Sequence, residues 1–471
     1  MEAGEKTFYP RIGLEIHAEL NTKTKCFCDC KNDPDEVRPN INICPVCMGY
    51  PGSLPVLNKE AVRSVLKLGV AIGAKIADFT EWDRKNYFYP DIPKGYQISQ
   101  YKHPLIEGGE LVGIKITRVH LEEDTARSQH DKGEDSLVDF NRSGVPLMEL
   151  VTEPVMHDAE TAGNFARSLQ LLLQCLGIAE ANMEKGEMRV EANISVSTDP
   201  KEFGTKVEVK NLNSFKSVEK AIAYELKRHE ELILAGERVM QETRGWDEAK
   251  GTTFSQRSKE EAKDYRYFPD PDLPKLYISE IEGFDTETLK KGLPELPWDR
   301  EERYKKLGLK EETAKQLVFD IKIANFFDEV VKGDMDIANL SANYLLSDFQ
   351  ALIKENLNIW NNINSEQFRG LILLISAGKI NSRGAKDILA VMAKEGGEAS
   401  DVAEREGLFQ TNDESFIESV VMEIINENEK IVAEYKGGKE NALQFLIGQG
   451  MKKSKGKINP EQLKEVLLKK I

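Results

Sequence analysis

Four cysteines set the first chemical constraint. Cys28 and Cys30 form one close thiol pair, and Cys44 and Cys47 form a second after an intervening loop. Thiolates on two tight turns can close a tetrahedron around Zn²⁺, so the spacing predicts a structural zinc knuckle over residues 26–47. Four thiolates leave no open coordination position, which makes the predicted role architectural. Just before the knuckle, alternation through 11–20 puts Glu15, His17 and Glu19 on one face of a predicted strand and Ile12, Leu14, Ile16 and Leu20 on the other. The knuckle therefore buttresses a strand that presents metal-type ligands.

Other predicted strands repeat the pattern. Arg189, Glu191, Asn193 and Ser195 alternate with Val190, Ala192 and Ile194, while Lys206, Glu208 and Lys210 alternate with Val207 and Val209. One such strand alone is compatible with a solvated surface or with the floor of a polar cleft. Their joint occurrence with Glu15, His17 and the segment 118–127 favours the cleft. Glu15, His17, Glu122, Glu123, Asp124, Glu149 and Glu191 would together repel one another unless a cation neutralised them. A hard, oxygen-rich set of this kind fits Mg²⁺, and Mg²⁺ points to a phosphorylated substrate. Lysines and arginines in 83–91 and 209–215 are available to clamp transferring phosphates. No Walker or kinase Gly-rich loop occurs, so ATP chemistry here requires an unusual scaffold.

The chain has 471 residues, 40% apolar and 31% charged, enough for two to four domains with proper cores. No segment approaches the roughly 18 uninterrupted apolar residues of a membrane span, and the polar N-terminus lacks a secretory core. A cytoplasmic protein with no membrane role is expected. Five of six cysteines crowd between Cys26 and Cys47, which fits metal binding in a reducing compartment. The net charge of −16 speaks against a generic nucleic-acid coat. Lys452, Lys453, Lys455, Lys457 and Lys464 still make a local cationic patch, with a solvated helix end as the simpler reading. Strand-type alternation dominates before residue 295 and helical periodicity after it. Single helices are predicted over 160–176, 218–234, 311–331, 342–355, 365–375, 415–434, 440–453 and 460–470. The predicted division is 1–294, 295–397 and 398–471. Tyr87, Phe88 and Tyr89 read as wall and core.

Several motifs are more specific. Gly13-Leu-Glu-Ile-His17, the run from Cys44 to Asn58, Asp83-Arg-Lys-Asn-Tyr-Phe-Tyr-Pro-Asp91 with Gly95-Tyr-Gln-Ile-Ser-Gln100, His120-Leu-Glu-Glu-Asp124, the run from Asp139 to Glu149, and Asp264-Tyr-Arg-Tyr-Phe-Pro-Asp-Pro-Asp-Leu-Pro274 together closely resemble the B-subunit (GatB) family of aspartyl/glutamyl-tRNA amidotransferases. The resemblance extends to Phe445-Leu-Ile-Gly-Gln-Gly-Met-Lys-Lys-Ser-Lys-Gly456.

The resemblance implies an α+β protein: a mainly antiparallel cradle-like catalytic domain, a helical domain, and a small YqeY-like helical tail that binds tRNA. It implies that ATP and Mg²⁺ serve to phosphorylate the side-chain carboxylate of Glu-tRNA(Gln) or Asp-tRNA(Asn). Ammonia from a glutaminase A subunit, in a heterotrimer with a small C subunit, then displaces the phosphate. Matching residue by residue, it implies Glu15, His17, Glu123 and Glu149 as catalytic Mg²⁺-shell residues, with Glu122 and Glu191 as further members. Lys85, Asn86, Lys210 and Asn213 become phosphate or aminoacyl contacts. Cys28, Cys30, Cys44 and Cys47 match the family's zinc pattern, although metal-free knuckles also occur among relatives. Two rivals stay open: a noncatalytic tRNA-binding scaffold and a zinc-dependent hydrolase, the latter disfavoured by the closed Cys tetrad.

Overall fold

The computed structural model describes residues 6–33, 35–129, 135–258, 265–355, 358–411, 413–454 and 457–471. Asp264, at the head of one family motif, and Lys455, in the cationic patch, lie outside them. The chain divides into two compact units, 1–296 and 297–471.

The first unit is built on a ten-stranded, mainly antiparallel sheet. Its longer strands are β1 (Tyr9–Glu19), β4 (Ile114–Glu123), β5 (Pro146–Thr152), β6 (Met188–Ser197), β7 (Val207–Leu212), β8 (Glu242–Asp247) and β9 (Thr252–Ser258). A separate three-stranded sheet contains β2 (Asp83–Asn86), β3 (Tyr96–Ser99) and β10 (Phe268–Pro269). The large sheet runs β9-β8-β7-β6-β1-β5-β4, and short strands continue it past β4. Only β7 and β8 pair in parallel among the described strands.

Period-2 alternation decides what each face carries. Ile12, Leu14 and Ile16 of β1, Val190, Ala192 and Ile194 of β6, and Val207 and Val209 of β7 all enter one core. Helices α1 (Lys59–Ala71), α2 (Ala159–Cys175) and α3 (Phe215–Leu234) contribute to the same core, through Val65, Phe165, Leu169, Val218 and Ile222 among others. Each such buried side chain stabilises by about 1.5–3 kcal/mol relative to an exposed one. Side chains of Asn58, Asp158 and Ser214 accept the free first-turn N–H groups of these helices and set where they start. The opposite sheet face is left to polar residues.

β3 is tied to β4 by side chains. Leu121 N donates to Gln100 Oε1 at 3.0 Å, Gln97 Nε2 to the Glu123 carbonyl at 2.7 Å, and Trp82 Nε1 to the Leu121 carbonyl at 3.1 Å. These bonds carry β2, and with it Lys85, to the edge of the polar face.

The second unit is helical among its described residues. The helix expected over 311–331 is two, Glu311–Val318 and Ile321–Val331, because the Asp320 carboxylate caps Lys322 N and Ile323 N and starts a new helix. The helix expected over 342–355 begins earlier, at Met335, and passes through a π-turn at Leu345–Phe349. Over 415–434 the chain breaks at Asn428 between Glu414–Glu427 and Glu429–Lys436. Ile417, Val421, Ile424, Leu446, Leu463 and Leu467 form a cluster of their own within the tail. Lys453 is engaged there by Glu423 (2.7 Å) and Glu427 (2.6 Å), which reduces the free charge of the cationic patch.

Candidate active site and metal centres

Strand register assembles the polar face. His17 of β1 lies opposite Arg189 of β6 on one side and Glu149 of β5 on the other, and Glu149 lies opposite His120 of β4. One residue pair along, Glu15 lies opposite Glu191. The result is a row of chemically active side chains across four adjacent strands. Glu149 Oε2 sits 3.3 Å from His17 Nε2 and 3.4 Å from His120 Nε2, while its Oε1 is 3.5 Å from Arg118. His17 Nε2 is also 3.8 Å from Glu122 and 3.9 Å from Glu15. Ser99 Oγ donates to Glu122 Oε2 at 2.8 Å and fixes that carboxylate.

Three ligand triads result, each with donor atoms within 4.8 Å of one another: Glu15, His17 and Glu149; His120, Glu122 and Glu149; Glu15, Glu191 and Glu208. The first two share Glu149. In the third, Lys210 Nζ already lies 2.7 Å from Glu191 and 3.7 Å from Glu208, so a lysine supplies the neutralising charge. The first two triads add imidazole nitrogens to the carboxylates and have Arg118 3.5 Å from Glu149.

Packing also shifts how these groups titrate. Burial, then Glu149 and Glu191, push the Glu15 carboxyl up to about 7. Burial opposes ionisation of Glu149, but His120 and His17 outweigh it and hold that carboxyl well below the usual range. Burial likewise works against a charged His120, yet Glu149 and Glu122 raise it to about 9. Carboxylate oxygens and imidazole nitrogens at this spacing fit a divalent cation such as Mg²⁺.

Lys85 reaches the same cluster. Its amine is buried against Glu122, Tyr267 and Glu149, which hold its pKa above the ordinary lysine value despite the burial. It also lies 5.0 Å over the Tyr265 ring. Lys210 closes the other end of the row.

Three expected site residues are not brought to the cluster. Glu123 follows Glu122 in a regular strand and so faces the opposite way, where it pairs with Lys94 at 2.5 Å and accepts from Ile98 N at 2.9 Å. Asn86 commits its side-chain amide to the carbonyls of Arg266 (2.8 Å) and Tyr265 (3.3 Å), anchoring that segment. Asn213 lines a polar cavity with Gln170, Gln174 and Phe215, residues of the helical side of the sheet. Asp124 is engaged by Arg189 (2.8 Å) and Arg142 (3.5 Å) as an ion pair. The aromatic loop also departs from expectation, because Phe88 is 88% exposed and Tyr89 is half exposed. Conversely, Arg118, His120 and Glu208, read in the sequence only as polar-strand residues, join the site, and Ser99 joins it unassigned. Alternation through 118–122 carried the signal, since Arg118, His120 and Glu122 share parity.

The knuckle cysteines converge. The four Sγ atoms of Cys28, Cys30, Cys44 and Cys47 lie within 4.8 Å of one another, and those of Cys44 and Cys47 are 3.9 Å apart. A tetrahedral zinc with Zn–S bonds near 2.3 Å has S–S edges of about 3.8 Å. All six cysteines are free thiols. Contact with Cys28 lowers the Cys47 thiol to about 5 against the effect of burial, and the Lys25 amine lowers it further. Cys44 N also donates to Cys47 Sγ at 3.1 Å. The tetrad can hold a metal ion. Cys26 lies outside it, fully buried in the main core.

The sequence also matches known proteins. Residues 10–282 match the model of the GatB/GatE catalytic domain, and residues 325–471 match that of the GatB domain. A protein of Thermomicrobium roseum, named as the B subunit of an aspartyl/glutamyl-tRNA(Asn/Gln) amidotransferase, is 44% identical over 471 residues, covering 97% of each chain. Proteins of the same name from Thermodesulfovibrio yellowstonii (44% identical, 97% of this chain and 98% of that one) and Gloeothece citriformis (42%, 99% and 98%) are similar over comparable lengths. The chain belongs to this family of tRNA-dependent amidotransferase B subunits. No helix among the described residues is long and apolar enough to cross a membrane.

Proposed function

We propose that the polar sheet face activates the side-chain carboxylate of Glu-tRNA(Gln) or Asp-tRNA(Asn) with ATP and then supports its amidation. The observation that carries this reading is the convergence of His17, His120, Glu122 and Glu15 on Glu149 beside Lys85. A bound Mg²⁺ would supply charge stabilisation to the phosphates. Glu15, His17, Glu122 and Glu149 would hold it, with His120 completing the shared triad.

The chain's own groups do the rest. Lys85, kept charged by Glu122 and Glu149, is placed to bind the oxygens of the transferring phosphoryl group. A substrate carboxylate oxygen forms a bond to the γ-phosphorus, the bond to the β-phosphate oxygen breaks, and ADP leaves. The acyl phosphate so formed has a good leaving group where the carboxylate had none. Ammonia then adds to the acyl carbon, phosphate departs, and a proton is lost to give the amide. Ammonia would come from glutamine through a glutaminase A subunit, and a small C subunit would make up the heterotrimer. Residues 295–397 form a helical domain in this reading, 398–471 bind tRNA, the Cys tetrad holds structural Zn²⁺, and the assembly is cytoplasmic.

The test combines the chain with its partners, ATP, Mg²⁺, glutamine and each misacylated tRNA, following γ-phosphate transfer and amide formation separately. Wild-type chain should give both products, and magnesium removal should abolish the first. Amide formation that proceeds without consuming ATP would sink the proposal.

A further inference from the structure

One arginine on the polar face keeps donors unspent. Arg189 lies opposite His17 in register, so its side chain leaves β6 on the same face as the acidic row. From there it reaches the residue just past β4, where Nη2 donates to Asp124 Oδ2 at 2.8 Å. Among the described residues the other guanidinium nitrogens have no protein acceptor. Glu19, also near, acts on it through space without a hydrogen bond. The Arg189 side chain is 34% exposed, so its free edge is open to a ligand.

Its anchor is itself fixed. Asp124 is buried, accepts from Thr125 N at 2.8 Å through Oδ1, and lies 3.5 Å from Arg142 Nε through Oδ2. Arg142 in turn donates to the carbonyls of Thr125 (3.1 Å) and Ala126 (3.4 Å). A carboxylate held at both oxygens cannot swing, so it sets the direction in which the Arg189 guanidinium points. The other cations of this face are engaged by the acidic row. Lys210 is paired with Glu191 and Glu208, Arg118 lies against Glu149, and Lys85 is buried against Glu122 and Glu149. Arg189 differs from them in being aimed by a carboxylate that belongs to none of the three ligand triads.

The shape of the free edge selects its ligand. A guanidinium is a planar fork that meets a carboxylate edge to edge, whereas a nucleic-acid backbone is gripped by several exposed lysines and arginines. A single, partly enclosed fork suits one small carboxylate. The reaction proposed above contains such an anion without a partner: Lys85 and the cation serve the phosphates, and the carboxylate that accepts the phosphoryl group has been given no protein contact. It needs one, because the oxygen that attacks phosphorus must be presented in line while the other is held. Donors preset for a carboxylate also turn away the amide product, whose NH₂ would face N–H groups.

We propose that Arg189 binds and orients the acceptor side-chain carboxylate of the aminoacyl group, with Asp124 as its positioning residue; the assignment deepens the function proposed above and rests on it. The test measures equilibrium binding of the full chain, with its partners and Mg²⁺ but no ATP, to Glu-tRNA(Gln) against Gln-tRNA(Gln) and to Asp-tRNA(Asn) against Asn-tRNA(Asn). Each pair differs only in carboxylate against amide. Wild type should prefer the carboxylate member of at least one pair by about tenfold or more, as for a charge-assisted hydrogen bond. Arg189→Met should bring the two members within about twofold, and Arg189→Lys, which keeps the charge and loses the fork, should lose most of the preference. Asp124→Asn, which leaves Arg189 unaimed, should lower it as well. Binding of uncharged tRNA, the KM for ATP and the melting temperature of Arg189→Met should match wild type, because Arg142 still pairs with Asp124. A preference that survives in both Arg189 variants overturns the proposal, as does a wild type that has none. So does a raised KM for ATP with the preference intact, which would place the guanidinium on a phosphate, or an equal loss of uncharged-tRNA binding. A preference that vanishes as expected in a protein whose wild type transfers no γ-phosphate refutes the proposed function and leaves the carboxylate contact standing.

Discussion

Exchanging Glu149 and Glu123 separately for glutamine distinguishes the two faces of the site. Glu149→Gln removes the carboxylate shared by both triads, and phosphoryl transfer to the tRNA-bound carboxylate should fall at least about 100-fold. Its cost in stability is small, because His17 and His120 can give up their protons near neutrality once their partner is neutral. Glu123→Gln does the reverse. It leaves the Lys94 ammonium, 9% exposed, without its carboxylate in a buried setting. Stranding one partner of a buried ion pair costs about 3–5 kcal/mol. Urea unfolding should therefore show a loss of that size, largely recovered by adding Lys94→Met, which removes the stranded charge. Among folded Glu123→Gln molecules, single-turnover transfer from radiolabelled ATP should stay within about tenfold of wild type. If Glu123→Gln lost transfer as completely as Glu149→Gln while keeping its unfolding midpoint, the parity assignment on β4 would be wrong.

Lys85→Met should cut phosphoryl transfer by about 100-fold or more while Mg²⁺ binding, measured by calorimetry, tightens, because a positive charge beside Glu122 and Glu149 has been removed. Weaker Mg²⁺ binding would contradict that placement. The Cys tetrad should hold about one zinc per chain, and Cys44→Ser or chelation should lower the melting temperature by at least about 5 °C with loss of that zinc. An unchanged melting curve after complete zinc removal would count against a structural metal. Glu225 on α3 offers a pH test away from the site. It is fully buried, and although burial opposes its ionisation, contacts with His229, Arg228 and Thr253 lower its pKa to about 2. A depressed carboxyl contributes stability above its unfolded pKa of about 4.5, and that contribution is lost as pH falls toward 2. The difference is about 3 kcal/mol, so wild type should lose that much more than Glu225→Gln between pH 5 and pH 2 in denaturant titrations. Parallel curves for the two proteins would show that Glu225 is not held in this way.

What a strand's sequence reveals is which side a residue takes, and what it withholds is the neighbour. Alternation alone placed Glu15 and His17 on the polar side and Ile12, Leu14 and Ile16 in the core, because period 2 is a local property. The same rule separates Glu122 from Glu123. Adjacent residues of one strand cannot both face a metal, so the pair of glutamates in His120-Leu-Glu-Glu-Asp124 had to divide, with His120 siding with Glu122. The family motif concealed this because a motif treats its residues as one block. Pairing was beyond local reading: that His17 meets Glu149, and Glu149 meets His120, follows from sheet order and register across distant segments. Asn86 and Asn213 show the complementary limit. Amides near a site serve backbone carbonyls as readily as ligands, and only the fold decides which. The helix broken at Asp320 differs in kind, since an Asp before an apolar period is a legible cap even where that period runs on past it. Register therefore makes the site out of residues whose sidedness was already written locally, and a change that slips β1 by one residue should abolish metal binding by turning Glu15 and His17 into the core.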